Sequence, residues 1–265
     1  MSDQPIRFDD GAAYDRFMGH WSRLAGDQFL DWLAPKPGLR WLDVGCGNGA
    51  FTEMIIQRCA PASVDGIDPS EGQLAFARSQ PSLRSAAFHQ GDAMALPFAD
   101  DSFDVAVMPL VIFFVPDPAK GVAEMARVVR PGGVIAAYAW DMDGGGFPYD
   151  ALLTVLRALD FSVPSPPSSD ASRLEAMRDL WTANLSDVET REISVQRTFA
   201  DFDDYWATIQ CGPSVGKGLS TMPPDQRALF QDRLRARLPT GSGGRIVVPA
   251  RANAVKGVAG NRSGS

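Results

Sequence analysis

Three glycines alternate in Asp43-Val44-Gly45-Cys46-Gly47-Asn48-Gly49, directly after the short apolar run Arg40 to Val44. Phe51, Met54, Ile55 and Cys59 then recur at helical spacing. This is a strand feeding a glycine turn and then a helix. Glycines at such a turn let main chain approach a ligand where a Cβ would collide. Free N–H groups at the helix start suit a polar or anionic group. A glycine turn is also compatible with a plain tight turn, so its neighbours decide its meaning. Asp68 closes Val64-Asp65-Gly66-Ile67-Asp68, and Asp92 follows Gly91. Each of Asp43, Asp68 and Asp92 could cap a turn. Placed at the ends of three successive strands, however, they converge on one crevice, because ligands of open α/β sheets sit outside the carboxyl ends of the strands.

The elements that must hold these residues alternate. An amphipathic helix runs from His20 to Leu33 through Trp21, Leu24, Ala25 and Phe29, and Pro35 and Pro37 end it. Strands are expected at Arg40–Val44, Ser63–Ile67, Ser85–Gln90, Asp104–Met108 and Val134–Trp140. Between them, Ser70 with Gln73 reads as a capping box opening a helix to Ser79. Asp117-Pro118 opens another helix that stops at Pro131-Gly132-Gly133. Strands separated by helices read as βαβ units and a mostly parallel sheet. After Trp140 the rhythm changes. Helices are expected over Tyr149–Leu159, Ala171–Ala183, Phe202–Ile209 and Pro224–Leu238, with strands over Val188–Arg197 and Arg245–Val255. Ser162 to Ser169 is rich in Pro and Ser, and Gly257 to Ser265 reads as a frayed tail.

The expected architecture is α/β: a Rossmann-like doubly wound sheet of about seven strands, mostly parallel with an antiparallel last strand, plus a helical cap and lid. It divides into a cap segment (1–34), a cofactor-binding core (35–142), a lid or substrate-binding insertion with one strand (143–238), and a last strand with the tail (239–265). These form a single overall domain, in keeping with a length of 265 residues. Apolar residues at 45% and charged residues at 22% exclude wholesale disorder. A formal charge of −7 without a dense Lys/Arg run argues against a nucleic-acid partner. Cys46, Cys59 and Cys211 match neither a metal-ligand spacing nor a disulfide framework. A polar, acidic start and the lack of a long apolar run point to a cytoplasmic protein with no membrane partner.

Taken together, these motifs resemble the class I S-adenosylmethionine-dependent methyltransferases, specifically the small-molecule group called type 11. Leu96-Pro97-Phe98 with Asp101-Ser102-Phe103-Asp104-Val105 is similar to that group's approach to strand four. Arg127-Val128-Val129-Arg130-Pro131-Gly132-Gly133 resembles its turn into strand five, and Tyr14 to Trp21 resembles its cap. The resemblance covers about residues 10 to 140.

It implies S-adenosyl-L-methionine as cofactor, S-adenosyl-L-homocysteine as product and a small-molecule methyl acceptor. The loop Gly45, Cys46, Gly47, Asn48 and Gly49 would lie against the methionyl moiety, with Asp43 orienting the loop and helping to hold the ammonium group. Asp68 would accept both ribose hydroxyls, a bidentate task suited to a carboxylate. Asp92 would accept from the adenine amino group and Ala93 would supply an N–H. Pro69 and Met94 would wall the ring, while Pro109, Leu110 and Tyr14 would lie near the methyl donor. Val111 and Phe114 read equally as site or core.

A nicotinamide-dependent oxidoreductase is the competing reading, since that cofactor also carries a ribose diol. The spacing here is Gly-x-Gly-x-Gly and not Gly-x-Gly-x-x-Gly, and a pyrophosphate beside Asp43 would meet like charge. A protein that keeps the fold without catalysis is the third. Methyl transfer from a sulfonium is an in-line displacement in which alignment alone can supply about 7–11 kcal/mol, so no triad or metal is needed. Of the two histidines, His89 sits in a strand pattern and reads as structural. His20 or Tyr14 could serve as general base, with Asp15 competing. Strand four continues as Met108-Pro109-Leu110-Val111, which lacks the Asn/Asp-Pro-Pro-aromatic and Pro-Cys sequences of base methylation and any carboxylate of a metal-dependent catechol type. The lid aromatics Phe147, Tyr149, Phe161, Trp181, Phe202, Tyr205 and Trp206 could line a pocket or simply pack. The sequence does not give the oligomeric state.

Overall fold

The computed structural model describes residues 15–161 and 165–260. Tyr14, Ser162 to Pro164 and the end of the tail from Asn261 lie outside the described residues. Helix α1 (His20–Leu33) buries Trp21, Ala25, Phe29 and Leu30, as its spacing predicts, and follows a short π-helical turn at Asp15–Gly19. The βαβ series then runs β1 (Arg40–Val44), α2 (Ala50–Cys59), β2 (Ser63–Asp68), α3 (Glu71–Ser79), β3 (Ala86–Gln90), β4 (Phe103–Pro109), α4 (Pro118–Val128) and β5 (Val129–Trp140). The rest is α5 (Asp150–Ala158), α6 (Leu174–Thr182), β6 (Leu185–Phe199), α7 (Phe202–Ile209), α8 (Pro213–Thr221), α9 (Pro224–Arg237) and β7 (Ile246–Ala259).

All seven strands join one sheet in the order β3-β2-β1-β4-β5-β7-β6. β1 pairs in parallel with β2 and β4, so the order reverses beside it, which makes its carboxyl end the switch point of the sheet. β7 is the reversed strand, antiparallel to both β5 and β6. The core lies on both faces of the inner strands, where Trp41, Leu42, Ala106, Val107, Ala136 and Ala137 have no appreciable exposure. Their near-continuous apolar character is what burial on both faces requires.

Several boundaries differ from the sequence reading for identifiable reasons. β5 begins at Val129, because Val129 pairs with Phe103, and Arg130 to Gly133 bulge out before the ladder resumes at Val134 opposite Val105. At Gly133 a Cβ would stand 2.7 Å from the Asp104 carbonyl oxygen, so only glycine lets the two main chains approach. The capping box at Ser70 is half formed. Ser70 Oγ accepts from the Gln73 N–H, but the Ser70 N–H donates to Asp68. The helix expected from Ala171 begins at Leu174, after a 3-10 turn at Ser169–Ser172. Helix α8 is an addition, since Gly216, Gly218 and three hydroxyl residues mask its periodicity.

β6 spans Leu185–Phe199 and forms the edge of the main sheet. β7 reaches Ala259, so Gly257 and Val258 are paired with Ile135 and Val134 and are not a frayed tail. Their small side chains gave no strand pattern; neighbouring strands hold them. β6 and β7 continue to pair past the end of β5. The register runs from Ile193↔Ala252, level with Trp140, to Phe199↔Ile246. A two-stranded ribbon therefore projects beyond the carboxyl edge of the sheet.

Candidate active site

The glycine loop is fastened to β2. The N–H groups of Gly45 and Cys46 both donate to the Ile67 carbonyl, at 2.8 and 3.0 Å. Gly47 N–H donates to Asp68 Oδ2 at 2.9 Å, Gly49 N–H to the Cys46 carbonyl, and Ala50 N–H to Asn48 Oδ1. These loop amides are engaged within the protein, as is Ala50 N–H at the helix start. The loop keeps its shape through three left-handed residues, Gly45, Gly47 and Gly49, at φ of 74°, 52° and 84°. Their surroundings differ. A Cβ on Gly45 would meet Val111 Cγ2 at 2.5 Å, and one on Gly49 would meet Leu83 Cδ1 at 2.4 Å. A Cβ on Gly47 would meet nothing within 4 Å. The loop is thus packed at both ends and open in the middle.

The open stretch stands beside two carboxylates. Asp43 is wholly buried in β1. Its Oδ2 accepts the Thr52 hydroxyl at 2.7 Å, and its Oδ1 is buried without a hydrogen-bond partner. Burial pushes the Asp43 carboxyl up to about 7, the Asp68 charge adds to the rise, and the Thr52 hydrogen bond opposes it. Asp68 ends β2 half-buried. Its two oxygens accept from Gly47 N–H and Ser70 N–H, and burial raises its carboxyl despite those bonds. Burial together with the Asp43 and Asp68 charges also raises the Cys46 thiol well above its ordinary range, so it is no nucleophile. Two carboxyls held above their usual range by burial form a site in which a positive group is the missing partner.

The remaining predicted residues fall on the segments that follow β2, β3 and β4. Asp92 is exposed; its Oδ1 accepts from Met94 N–H at 2.8 Å and its carbonyl from Ala95 N–H. The turn reading of Asp92 is therefore correct as far as it goes, and it leaves the second oxygen uncommitted. Pro69 is exposed, while Ala93 and Met94 are half-buried. Pro109 pairs with Tyr138 in β5, and Leu110, at φ 60°, donates its N–H to the Tyr138 carbonyl at 2.7 Å. Val111 rests on Gly45, so the segment after β4 lies directly on the glycine loop. Phe114 is tilted against Phe113 and packs on the core.

His20 is exposed, at the first turn of α1. Partial burial and the charges of Arg197 and Arg23 lower its pKa. His89 pairs with Asp65 at 2.7 Å and meets Phe98 edge-on, a structural placement. Trp181 packs inside, donating to the Ile135 carbonyl, as ordinary packing predicts. Asp141 serves as a loop residue, holding Arg251 and Gly144. Sequence reasoning missed Thr52. Its signal was a hydroxyl on the buried face of α2, between Phe51 and Met54.

This strand order with one reversed strand, and a glycine loop between acidic strand ends, define the class I methyltransferase fold. Residues 42–137 match a family model described as a methyltransferase domain. The chain is 40% identical over 119 residues to 2-methyl-6-phytyl-1,4-hydroquinone methyltransferase 2, chloroplastic, of Oryza sativa subsp. japonica, covering 44% of this chain and 34% of the relative. It is 36% identical over 115 residues to the ubiquinone/menaquinone biosynthesis C-methyltransferase UbiE of Roseobacter denitrificans, covering 42% of this chain and 46% of the relative. The chain thus spans a third to about half the length of these curated relatives. Among solved structures it resembles the YcgJ protein of Bacillus subtilis, with a TM-score of 0.58 and 18% identity, over 91% of this chain and 99% of that one. It also resembles Haemonchus contortus phosphoethanolamine N-methyltransferase 2 in complex with S-adenosyl-L-methionine, with a TM-score of 0.60 and 17% identity, over 98% of this chain and 59% of that one. At these identities the structural likeness establishes the fold. No helix among the described residues is long and apolar enough to cross a membrane.

Proposed function

We propose that the protein is an S-adenosylmethionine-dependent methyltransferase acting on a small organic molecule. The carrying observation is the buried Asp43 carboxylate, with one oxygen unpartnered, beside Asp68 and an open glycine. An ammonium-bearing, positively charged nucleoside fits such a site. A pyrophosphate would add negative charge to it, so the nicotinamide reading is not favoured, and the curated relatives are methyltransferases. When bound, the cofactor supplies a sulfonium methyl for in-line displacement. Asp43 would face the ammonium group and Asp68 the ribose hydroxyls. Gly47 would let main chain lie against the methionyl moiety, flanked by Gly45, Cys46, Asn48 and Gly49. Asp92 and Ala93 would serve the adenine between Pro69 and Met94, and Pro109 and Leu110 would border the reacting side.

For an acceptor that must lose a proton, His20 is the proposed base. Its pKa is lowered, which keeps the ring unprotonated at neutral pH, as a base must be. Tyr14 is the alternative. The acceptor atom is oxygen, carbon or nitrogen, and the names of the relatives put hydroquinone ring carbons first among acceptors to try. The acidic balance supports a small-molecule partner and not a nucleic acid. Free thiols at Cys46, Cys59 and Cys211 support a cytoplasmic setting. The test is formation of S-adenosylhomocysteine from S-adenosylmethionine with a panel of hydroquinones, phenols and amines. Acceptor-dependent product supports the reading; a tightly bound cofactor with no turnover on any acceptor would favour the silent-protein reading.

A further inference from the structure

Asp43 and Asp68 stand near the ends of neighbouring strands beside the glycine loop, yet their oxygens are served unequally. An ionised carboxyl is acceptor-only and is stabilised by donors on both oxygens. Asp68 has one on each: Gly47 N–H on Oδ2 at 2.9 Å and Ser70 N–H on Oδ1 at 2.8 Å. Asp43 accepts from the Thr52 hydroxyl on Oδ2 at 2.7 Å, while its Oδ1 is buried with no partner. Asp43 is also the more deeply placed of the two, with no exposure.

The charges around Asp43 do not supply what its hydrogen bonds lack. In the sheet it lies between Gly66 of β2 and Val107 of β4, neither of which ionises. Asp68, two residues past Gly66, adds a negative charge. Cys46, in the loop, is held as a thiol by burial and by both carboxyls. The basic groups on the packed elements are paired with other acids: Arg40 of β1 with Asp104, Arg58 of α2 with Asp27 and Asp31, and Arg78 of α3 with Glu71. Glu53 of α2 accepts from Gln57. A buried carboxyl with a single donor and a like charge beside it favours its neutral form. Burial, the largest cause, pushes this one up to about 7.

We propose that the empty crevice keeps Asp43 protonated, and that the ammonium group of the cofactor binds with release of that proton. The inference rests on the methyltransferase reading above and adds a regulation of the same site by pH. The step balances. The Asp43 O–H bond breaks, the carboxylate keeps the electron pair, and the proton passes through water to the buffer. The entering ammonium supplies the positive charge that the crevice lacks, and the attraction is strongest where solvent is excluded. By linkage, cofactor affinity rises with pH up to the value for the empty crevice and is level above it.

Titration calorimetry with S-adenosylhomocysteine, whose sulfur is uncharged, isolates the ammonium group. Buffers of different ionisation enthalpy turn the heat into a proton count. The wild type should release about one proton per ligand at pH 6 and close to none at pH 8.5. Its affinity should rise roughly eightfold between pH 5.5 and 6.5. Asp43→Asn should show neither effect, with a thermal melt to establish that it is folded. Infrared difference spectra give a second readout. A protonated-carboxyl band, present in the free wild type at pH 6 and missing from free Asp43→Asn, should vanish when the ligand is added. If Asp43→Asn binds too weakly for counting, this band decides: its loss supports the proposal and its persistence overturns it. Binding by the wild type without proton release, or the same release in Asp43→Asn, overturns the proposal and leaves the methyltransferase reading standing. No binding by the wild type at any pH overturns both.

Discussion

The Thr52 hydroxyl donates to Asp43 at 2.7 Å and leaves the other oxygen of a wholly buried carboxylate with no partner. α2 carries the hydroxyl and β1 the acid, so the glycine loop between them is braced from below by a side chain and from the side by Asp68. Burial costs a carboxylate much of its hydration, and a single hydroxyl does not restore it. Burial therefore holds the carboxyl well above its ordinary range.

That poise has a consequence for stability. The Asp43 carboxyl stands at about 7 in the folded protein, above its ordinary 3.8. A raised carboxyl contributes stability that is present in full below the unfolded value and is lost as pH rises through the folded one. Chemical denaturation of the cofactor-free protein should show a fall of up to roughly 4 kcal/mol between pH 4 and 8 from this group, an order-of-magnitude figure for a shift of about three units. In Asp43→Asn the corresponding slope should disappear. An unchanged slope would place the titrating group elsewhere.

Asp68 has two duties, holding the loop through Gly47 and Ser70 and, on the proposed reading, accepting ribose hydroxyls. Asp68→Ala should weaken S-adenosylhomocysteine by about 1–3 kcal/mol, the scale of lost charged hydrogen bonds. It should also lower the melting temperature of the free protein. Calorimetry and a melt on the same preparation check both effects. Full affinity in the variant would remove Asp68 from the site.

The glycines separate packing from ligand approach. Gly45→Ala drives a methyl into Val111 and should destabilise the free protein more than Gly47→Ala, which meets open space. Gly47→Ala should cost about 1–2 kcal/mol for its left-handed backbone. Gly47→Val should abolish cofactor binding while the protein remains folded. If Gly47→Val binds normally, the open middle of the loop is not where the ligand lies.

Much of this arrangement is legible in the chain because the inner strands are local and strongly apolar. Arg40 to Val44 and Asp104 to Met108 announce themselves, and Asp43 and Asp68 fall at their strand ends by counting. What the sequence conceals depends on distant partners. Gly257 and Val258 look like tail until β5 pairs with them. Thr52 looks like one more helix residue until β1 places Asp43 above it. The loop amides look available until Ile67 and Asp68 accept from them.

The central claim is that the crevice at the end of β1 and β2 takes a cationic sulfur nucleoside. Isothermal titration of the wild-type protein with S-adenosylmethionine and, separately, with NAD measures it directly. Saturable one-to-one binding of S-adenosylmethionine, lost in Gly47→Val, and no heat from NAD is the result expected. Binding of NAD in its place, or S-adenosylmethionine binding that Gly47→Val leaves intact, would contradict the account.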